Sequence, residues 1–160
     1  MQRGTAVHDI VLEGGQNTVR GPETRRGNAW KDAVAEAAGK VVLPEKEYDE
    51  AEAIAQALMA DPACAKQLTM EGALKEQSLF VTCPQTGLEL RCRPDLYNPS
   101  DNVMSDVKTT VDASPTGFLR EVYKYRYDVQ GAFYSYVAEL AGWKVRHFTF
   151  LAVETSLPYA

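Results

Sequence analysis

Residues 92–110 combine two carboxylates and a lysine with a run of turn-forming residues. That run, residues 98–101, contains asparagine, proline, serine and aspartate, all of which favour turns. The segments on either side alternate apolar and polar residues, as the strands of a hairpin do. The sequence therefore predicts a hairpin that folds symmetrically between Ser100 and Asp101.

The alternation of side chains along a strand then decides which residues share a face of this hairpin. Asp95 is predicted to lie opposite Asp106, and Arg93 opposite Lys108. Facing like charges destabilise a sheet by roughly 0.2–1 kcal/mol, so the paired acids indicate a cation near them. A solvated face on which two acids meet by chance is the alternative, and spacing alone does not decide between the two. The other face is predicted to be apolar, with Leu88, Leu90, Cys92, Leu96, Val103 and Val107.

The size and composition of the chain limit its class. Its 160 residues fit a single domain, 1–160, of ordinary globular composition, with 45% hydrophobic and 24% charged residues. No apolar run approaches the ~18 residues of a membrane span, and the N-terminus lacks the apolar core of a signal peptide. Three cysteines without zinc-type spacing favour reduced thiols and a cytoplasmic location. A net charge of −5 argues against a general nucleic-acid coat but is compatible with a local basic groove.

Periodicity and the positions of glycine and proline predict the elements around the hairpin. Residues 14–28 form a polar, glycine-rich loop that we expect to be mobile. The helix that follows is expected to be capped by Asn28 and to stop at Gly39, and the next is either continuous or broken at Pro62. The expected helices cover 4–13, 28–40, 48–70 and 112–142, and the expected strands cover 75–83, 88–96, 103–109 and 144–154.

The long helix over 112–142 is predicted to carry two separate stripes. One is apolar, at helical spacing, and contains Phe118, Val122, Tyr125, Val129, Phe133 and Leu140. The other contains Tyr123, Tyr127, Gln130 and Tyr134. The second stripe is either additional core or a functional surface. Gln130 favours the latter, because a buried amide needs hydrogen-bond partners.

An acid on the second strand and an acid-x-Lys motif on the third resemble the arrangement in the PD-(D/E)xK nuclease superfamily. More narrowly, the chain resembles the RecE, or exodeoxyribonuclease VIII, type of phage exonuclease. The resemblance implies an α/β fold with a restriction-endonuclease-like core of order α-β-β-β-α-β, in which helices flank a central mixed sheet. It rests on four segments in the expected order: GTAVHDIVLE (4–13), KEQSLFVTCPQTGLELRCRPDL (75–96), SDVKTTVDASPTGF (105–118) and YKYRYDVQGAFY (123–134).

The resemblance implies a metal site. His8, Asp95 and Asp106 match the family's metal ligands, with the Val107 backbone carbonyl as a further one. Mg²⁺ suits the carboxylates, and Mn²⁺ is also a candidate because an imidazole ligand suits it better. Lys108 matches the catalytic lysine, whose ammonium orients the attacking water and offsets charge on the phosphate. A surface ion pair between Lys108 and Asp106 is the alternative.

Other positions also match the family. Glu76 corresponds to a glutamate before the first core strand, and a solvated strand-end role is the alternative for it. Gln130 and Tyr134 match a Q-x-x-x-Y motif that reaches toward the DNA backbone or the lysine. Five residues are candidate DNA contacts, although a solvated loop is equally compatible with the last three: Arg93, Thr109, Arg20, Arg25 and Arg26.

By the same resemblance, the protein is expected to be a metal-dependent 5′-to-3′ exonuclease that degrades double-stranded DNA from its ends during phage-type recombination. A ring-shaped homo-tetramer and a single-strand annealing protein as partner are also implied. The family domain extends beyond both ends of this chain, so we expect a truncated form. The alternatives are a structure-specific or nicking endonuclease of the same superfamily and a catalytically inactive DNA-binding remnant.

Overall fold

A computed structural model describes residues 2–159, with side chains from residue 4 onward. In this part of the chain the helices are α1 (Gln2–Glu13), α2 (Gly27–Glu36), α3 (Glu45–Ala60), α4 (Pro62–Thr69), α5 (Pro115–Tyr125) and α6 (Tyr127–Leu140). The strands are β1 (Thr18–Arg20), β2 (Val41–Leu43), β3 (Leu74–Lys75), β4 (Leu79–Thr82), β5 (Glu89–Cys92), β6 (Leu96–Asn98), β7 (Val103–Thr110) and β8 (His147–Glu154). None of the described helices combines the length and the apolar character needed to cross a membrane.

The central sheet has the strand order β3-β6-β7-β8. Its first three strands are antiparallel neighbours, and β8 runs parallel to β7, so the sheet is mixed. In the β6–β7 hairpin Leu96 pairs with Ser105 and Asn98 with Val103. This register is symmetric between residues 100 and 101, which confirms the predicted hairpin. A parallel β7–β8 pair needs a crossover connection, and α5 and α6 provide it.

Helices cover both faces of this sheet. On one face, α1, α3 and α4 pack against Leu96, Val107 and Val153 in the larger core cluster. On the other face, α6 packs through Ala138 against Met104 and its neighbours. The alternation of side chains along β6 and β7 produces these two apolar faces. The expected α/β fold, with a central mixed sheet flanked by helices, is therefore confirmed.

The segment expected to be one strand over 88–96 is two strands in different sheets. β5 pairs with β4 in a separate antiparallel hairpin, whereas β6 belongs to the central sheet. Pro94 lies at the break, and a proline cannot donate to a strand ladder. The prediction for Leu88 was wrong as a result, since this residue lies in the β4–β5 turn and is 62% exposed instead of facing a core.

The helix expected over 112–142 is also divided. Arg126 adopts a left-handed conformation, with φ of 57°, and separates α5 from α6. The break rotates the two halves relative to each other, so the predicted apolar stripe does not form one buried surface. Four of its members are exposed: Tyr125, Val129, Phe133 and Leu140. The half-buried residues Tyr127, Gln130 and Tyr134 instead face the sheet.

The N-terminal third contains structure that the sequence did not predict. Within the segment expected to be a mobile loop, β1 forms a parallel pair with β2. Helix α2 begins at Gly27 after Arg26, so Asn28 lies inside the helix and is not its cap. The segment expected to be either one helix or two is broken at Pro62 into α3 and α4. The Asp61 side chain accepts hydrogen bonds from two backbone N–H groups at the start of α4.

Gly21 follows β1 and lets the chain lie close against β2. Its N–H donates to the Leu43 carbonyl at 2.7 Å. A Cβ at this position would lie 2.5 Å from Val42 Cγ1. We therefore expect Gly21→Ala to lower the free energy of unfolding by about 1–3 kcal/mol, measured by urea denaturation. Thr24→Ala, an exposed control, should change it by less than about 0.5 kcal/mol. Equal stability of the two variants would contradict this packing argument.

Candidate metal centre

The candidate site begins where the β6–β7 ladder ends. β7 continues to Thr110, but β6 starts only at Leu96, so the backbone of β7 lacks a partner strand beyond that point on this side. The Asp95 carboxylate takes the place of that strand, because its Oδ2 accepts a hydrogen bond from the Val107 N–H at 2.7 Å. Asp95 is therefore fixed against β7 by the local geometry of the hairpin.

Two residues from other parts of the chain join Asp95. Buried Val7 and Val11 anchor α1 in the core, and His8 between them places Nδ1 3.3 Å from Asp95 Oδ2. Glu76 follows β3 with a φ of 53°, and its N–H donates to the Asp95 carbonyl at 3.0 Å. Ligand atoms of His8, Glu76 and Asp95 all lie within 4.8 Å of one another.

Arg93 holds Glu76 in this position. Its Nε lies 2.6 Å from Glu76 Oε2 and donates to the Glu76 carbonyl at 3.1 Å. The sequence placed Arg93 opposite Lys108, and this pairing is not present, because the ladder stops before Arg93 is reached. A cation beside Glu76 stabilises its charged form at the edge of the site.

Asp106 lies two residues before Lys108 on β7, and the two side chains form an ion pair. The Gln130 amide donates to Asp106 Oδ1 at 2.6 Å. The Lys108 ammonium also lies 4.6 Å from the centre of the Tyr127 ring. The left-handed Arg126 sets the start of α6, and in its first turn Tyr127 contacts Lys108 and Gln130 contacts Asp106. The sequence placed Tyr127 in the second helical stripe but did not identify it as a site residue.

The charged groups at the site have shifted pKa values. Burial lowers the pKa of His8, so its imidazole is neutral at pH 7. Burial, together with the Asp106 charge, raises the pKa of Asp95 to about 7. Burial also raises the pKa of Glu76, although Arg93 opposes this effect. Asp95 and Glu76 therefore lie in surroundings that disfavour their negative charge.

This donor set fits a divalent cation. An imidazole and carboxylates suit Mn²⁺, and carboxylates suit Mg²⁺. Asp106 is 2% exposed, and its Oδ2 accepts no hydrogen bond from the described residues; only the Lys108 ammonium pairs with it. A buried carboxylate oxygen without a hydrogen bond is costly unless a cation compensates for it.

The Asp95 shift predicts pH-dependent metal binding. Below pH 7 a cation must displace a proton from Asp95. As the pH rises from 5.5 to 7, we therefore expect the Kd for Mn²⁺ to fall by up to about tenfold per pH unit. Above pH 7 we expect the Kd to stay constant. Without a cation, the raised pKa stabilises the fold at low pH, and this contribution is lost as the pH rises through about 7. Calorimetric titration in two buffers would measure both Kd and proton release. A Kd that does not vary with pH would contradict this assignment.

The structure does not bring every predicted site residue to this place. Thr109 lies against α1, where its Oγ1 would be 3.1 Å from a Cβ on Gly4. Arg20 pairs with Glu45 and Asp49 on α3, Arg25 pairs with Glu47 on α3, and Arg26 is exposed before α2. Arg20 and Arg25 therefore lie against α3. The role of all three arginines in DNA binding stays a prediction.

Comparison with known proteins gives matches to a family profile and to solved structures. The profile of a family described as "PDDEXK-like domain of unknown function (DUF3799)" matches residues 1–160. The crystal structure of a protein from Eubacterium rectale, described as a "putative exonuclease", superposes with a TM-score of 0.64 at 20% sequence identity. The match covers 99% of this chain but 55% of that one, so this chain spans about half of its length. No curated protein matches the sequence. At this identity the structural match shows the fold alone.

Proposed function

Because the chain belongs to the PDDEXK-like family DUF3799, we propose that it is a metal-dependent nuclease that hydrolyses phosphodiester bonds of DNA. One observation carries the proposal. Asp95 and Asp106 lie buried beside the neutral imidazole of His8, with the Lys108 ammonium on the same strand as Asp106. A purely structural role rarely brings two buried acids, an imidazole and a lysine together, as they are where the β6–β7 ladder ends.

The residues divide into those that hold a cation and those that assist the reaction. His8, Glu76, Asp95 and Asp106 would hold Mg²⁺ or Mn²⁺, and the Val107 backbone, which hydrogen-bonds to His8, is a further candidate. Such a cation, when bound, activates a water and stabilises negative charge on the scissile phosphate. Arg93 orients Glu76 for this role, and its charge opposes the effect of burial on the pKa of Glu76.

Lys108 is the group that would meet the reacting phosphate. Its ammonium is held between the Asp106 carboxylate and the Tyr127 ring, which fixes it without removing its charge. From there it can hydrogen-bond the attacking water and offset the charge that develops on the phosphate. Gln130 keeps Asp106 in place, and Tyr134 lies one helical turn further along α6.

We further propose that the substrate is a double-stranded DNA end, degraded from 5′ to 3′ in phage-type recombination. The description of the Eubacterium rectale protein supports exonuclease activity. The RecE-like segments support the polarity, the tetrameric ring and the annealing-protein partner. The three free cysteines support a cytoplasmic location.

The test compares a linear duplex carrying 5′ phosphates with a closed circular duplex, each with Mg²⁺ or Mn²⁺. Release of mononucleotides from the linear substrate alone is the expected result. Cleavage of the circle would replace the exonuclease proposal with an endonuclease of the same superfamily. No metal-dependent cleavage of either substrate would overturn the nuclease proposal and favour a DNA-binding remnant.

A further inference from the structure

A groove of about 320 Å³ lies on the β4–β5 hairpin, and none of the candidate metal ligands lines it. Its walls include Ser78, Phe80, Arg91, Arg93 and Tyr134, and we call it the hairpin groove. Phe80 and Arg91 are directly opposite each other in the register of the two strands. Because directly opposed residues of an antiparallel pair share a face, the phenyl ring and the guanidinium stand side by side.

The hairpin does not need Phe80 for its own core. Leu79 packs on the α6 side of the sheet in the smaller core cluster, and Cys92, its cross-strand partner, is buried. Phe80 points the other way and is 70% exposed. An aromatic ring this exposed, beside an arginine and in a groove, is a surface suited to a flat ligand.

The hairpin groove and the metal centre share a wall. Arg93, which lines the groove, binds Glu76 of the metal cluster. Arg91 is two residues earlier on the same face, about 7 Å along the chain. On the other side, Tyr134 lines the groove and lies one turn of α6 after Gln130, the residue that holds Asp106.

The charge of the groove is opposite to that of its surroundings. Among the described residues, its lining contains two arginines and no carboxylate. The cavity on the other side of Glu76, by contrast, is lined by Asp9, Glu13 and Glu76 itself. In a chain of net charge −5 the groove is thus a local cationic surface next to the metal centre. An anionic ligand would approach from this side.

We propose that the hairpin groove binds one unstacked nucleotide of single-stranded DNA, with its base on the Phe80 ring and its phosphate on Arg91. The inference rests on the proposed nuclease function, because it takes the groove to guide a strand to the metal centre. Stacking on an exposed aromatic ring accepts any base, and an adjacent arginine holds the backbone. The groove therefore binds any of the four bases and does not select a particular DNA sequence.

The test measures binding of a short single-stranded oligonucleotide containing 2-aminopurine, with Ca²⁺ replacing Mg²⁺ and Mn²⁺ and strand integrity checked on a gel. The wild-type protein should quench the fluorescence of the base on binding. Phe80→Ala should raise the Kd by about 5- to 100-fold and abolish the quenching. Arg91→Gln should reduce the slope of log K against log salt by about 0.7.

Two exposed residues outside the groove provide matched controls. Leu88→Ala removes an apolar side chain from the same hairpin, and Arg146→Gln removes an arginine before β8. Both variants should bind as the wild type does. Thermal melting of all four variants would show that the fold is unchanged.

The outcomes separate this inference from the nuclease proposal. Failure of the wild type to bind the oligonucleotide, or unchanged binding by Phe80→Ala and Arg91→Gln, would overturn the groove assignment even if the protein cleaves DNA. Quenched binding that depends on Phe80, in a protein that cleaves no DNA with Mg²⁺ or Mn²⁺, would support the groove and overturn the nuclease.

Discussion

Replacing Asp106 with asparagine is expected to lower metal-dependent DNA cleavage by about 10³-fold or more and to weaken Mn²⁺ binding by about tenfold or more. The change keeps the shape of the side chain and an oxygen that can accept the Gln130 hydrogen bond. It removes the charge that a cation would meet and the partner of the Lys108 ammonium.

The fold should tolerate this change. The Asp106 charge is one of the causes that raise the pKa of Asp95, so its removal relieves repulsion between two buried acids. We expect Tm to stay the same or rise. Asp32→Asn, on the exposed side of α2, is the control and should retain full activity. Unchanged cleavage by Asp106→Asn would show that DNA is not cleaved at the site formed by Asp95 and Asp106.

Lys108→Met should separate metal binding from turnover. Methionine keeps most of the length of the side chain but has no charge, so the support for the phosphate and the water is lost. We expect a loss of about 10²- to 10³-fold in kcat. Mn²⁺ binding should be equal or tighter, because a cation that competes for Asp106 is removed. Single-turnover cleavage and calorimetry would measure the two quantities.

Lys31→Met, an exposed substitution on α2, is the control for this measurement. Loss of Mn²⁺ binding together with activity would mean that Lys108 organises the acids and does not act on substrate. A pH profile adds a further check. The Lys108 charge lowers the pKa of Asp95, so Lys108→Met should keep the dependence on Asp95 but move it to higher pH.

The parts of the fold that could be predicted are those set by the local pattern of residue types along the chain. Turn residues and alternation gave the β6–β7 register, and that register placed Asp95 and Asp106 close together. The approach of His8 to Asp95 has no local signal, because the residues lie in distant parts of the chain. It was anticipated only through the family resemblance.

The features that were missed depend on tertiary contacts. The segment around Arg126 has helical propensity and no glycine or proline, so nothing local predicts its left-handed conformation. β1 and β2 have three residues each, too few for a periodic pattern, and they form a strand pair only because they meet in space. The Arg93–Glu76 pair likewise follows from the end of the ladder at Leu96, which alternation along residues 88–96 does not reveal.

The wide separation of His8 and Asp95 along the chain bears on how the protein folds. About half of the 160 residues lie between them, so their contact closes a long loop and contributes to a high contact order. Closing such a loop costs entropy, and the contact should form late in folding. The ligands meet only after residue 106 has joined the sheet. A chain that is still being synthesised therefore cannot assemble the candidate site until these residues have been made.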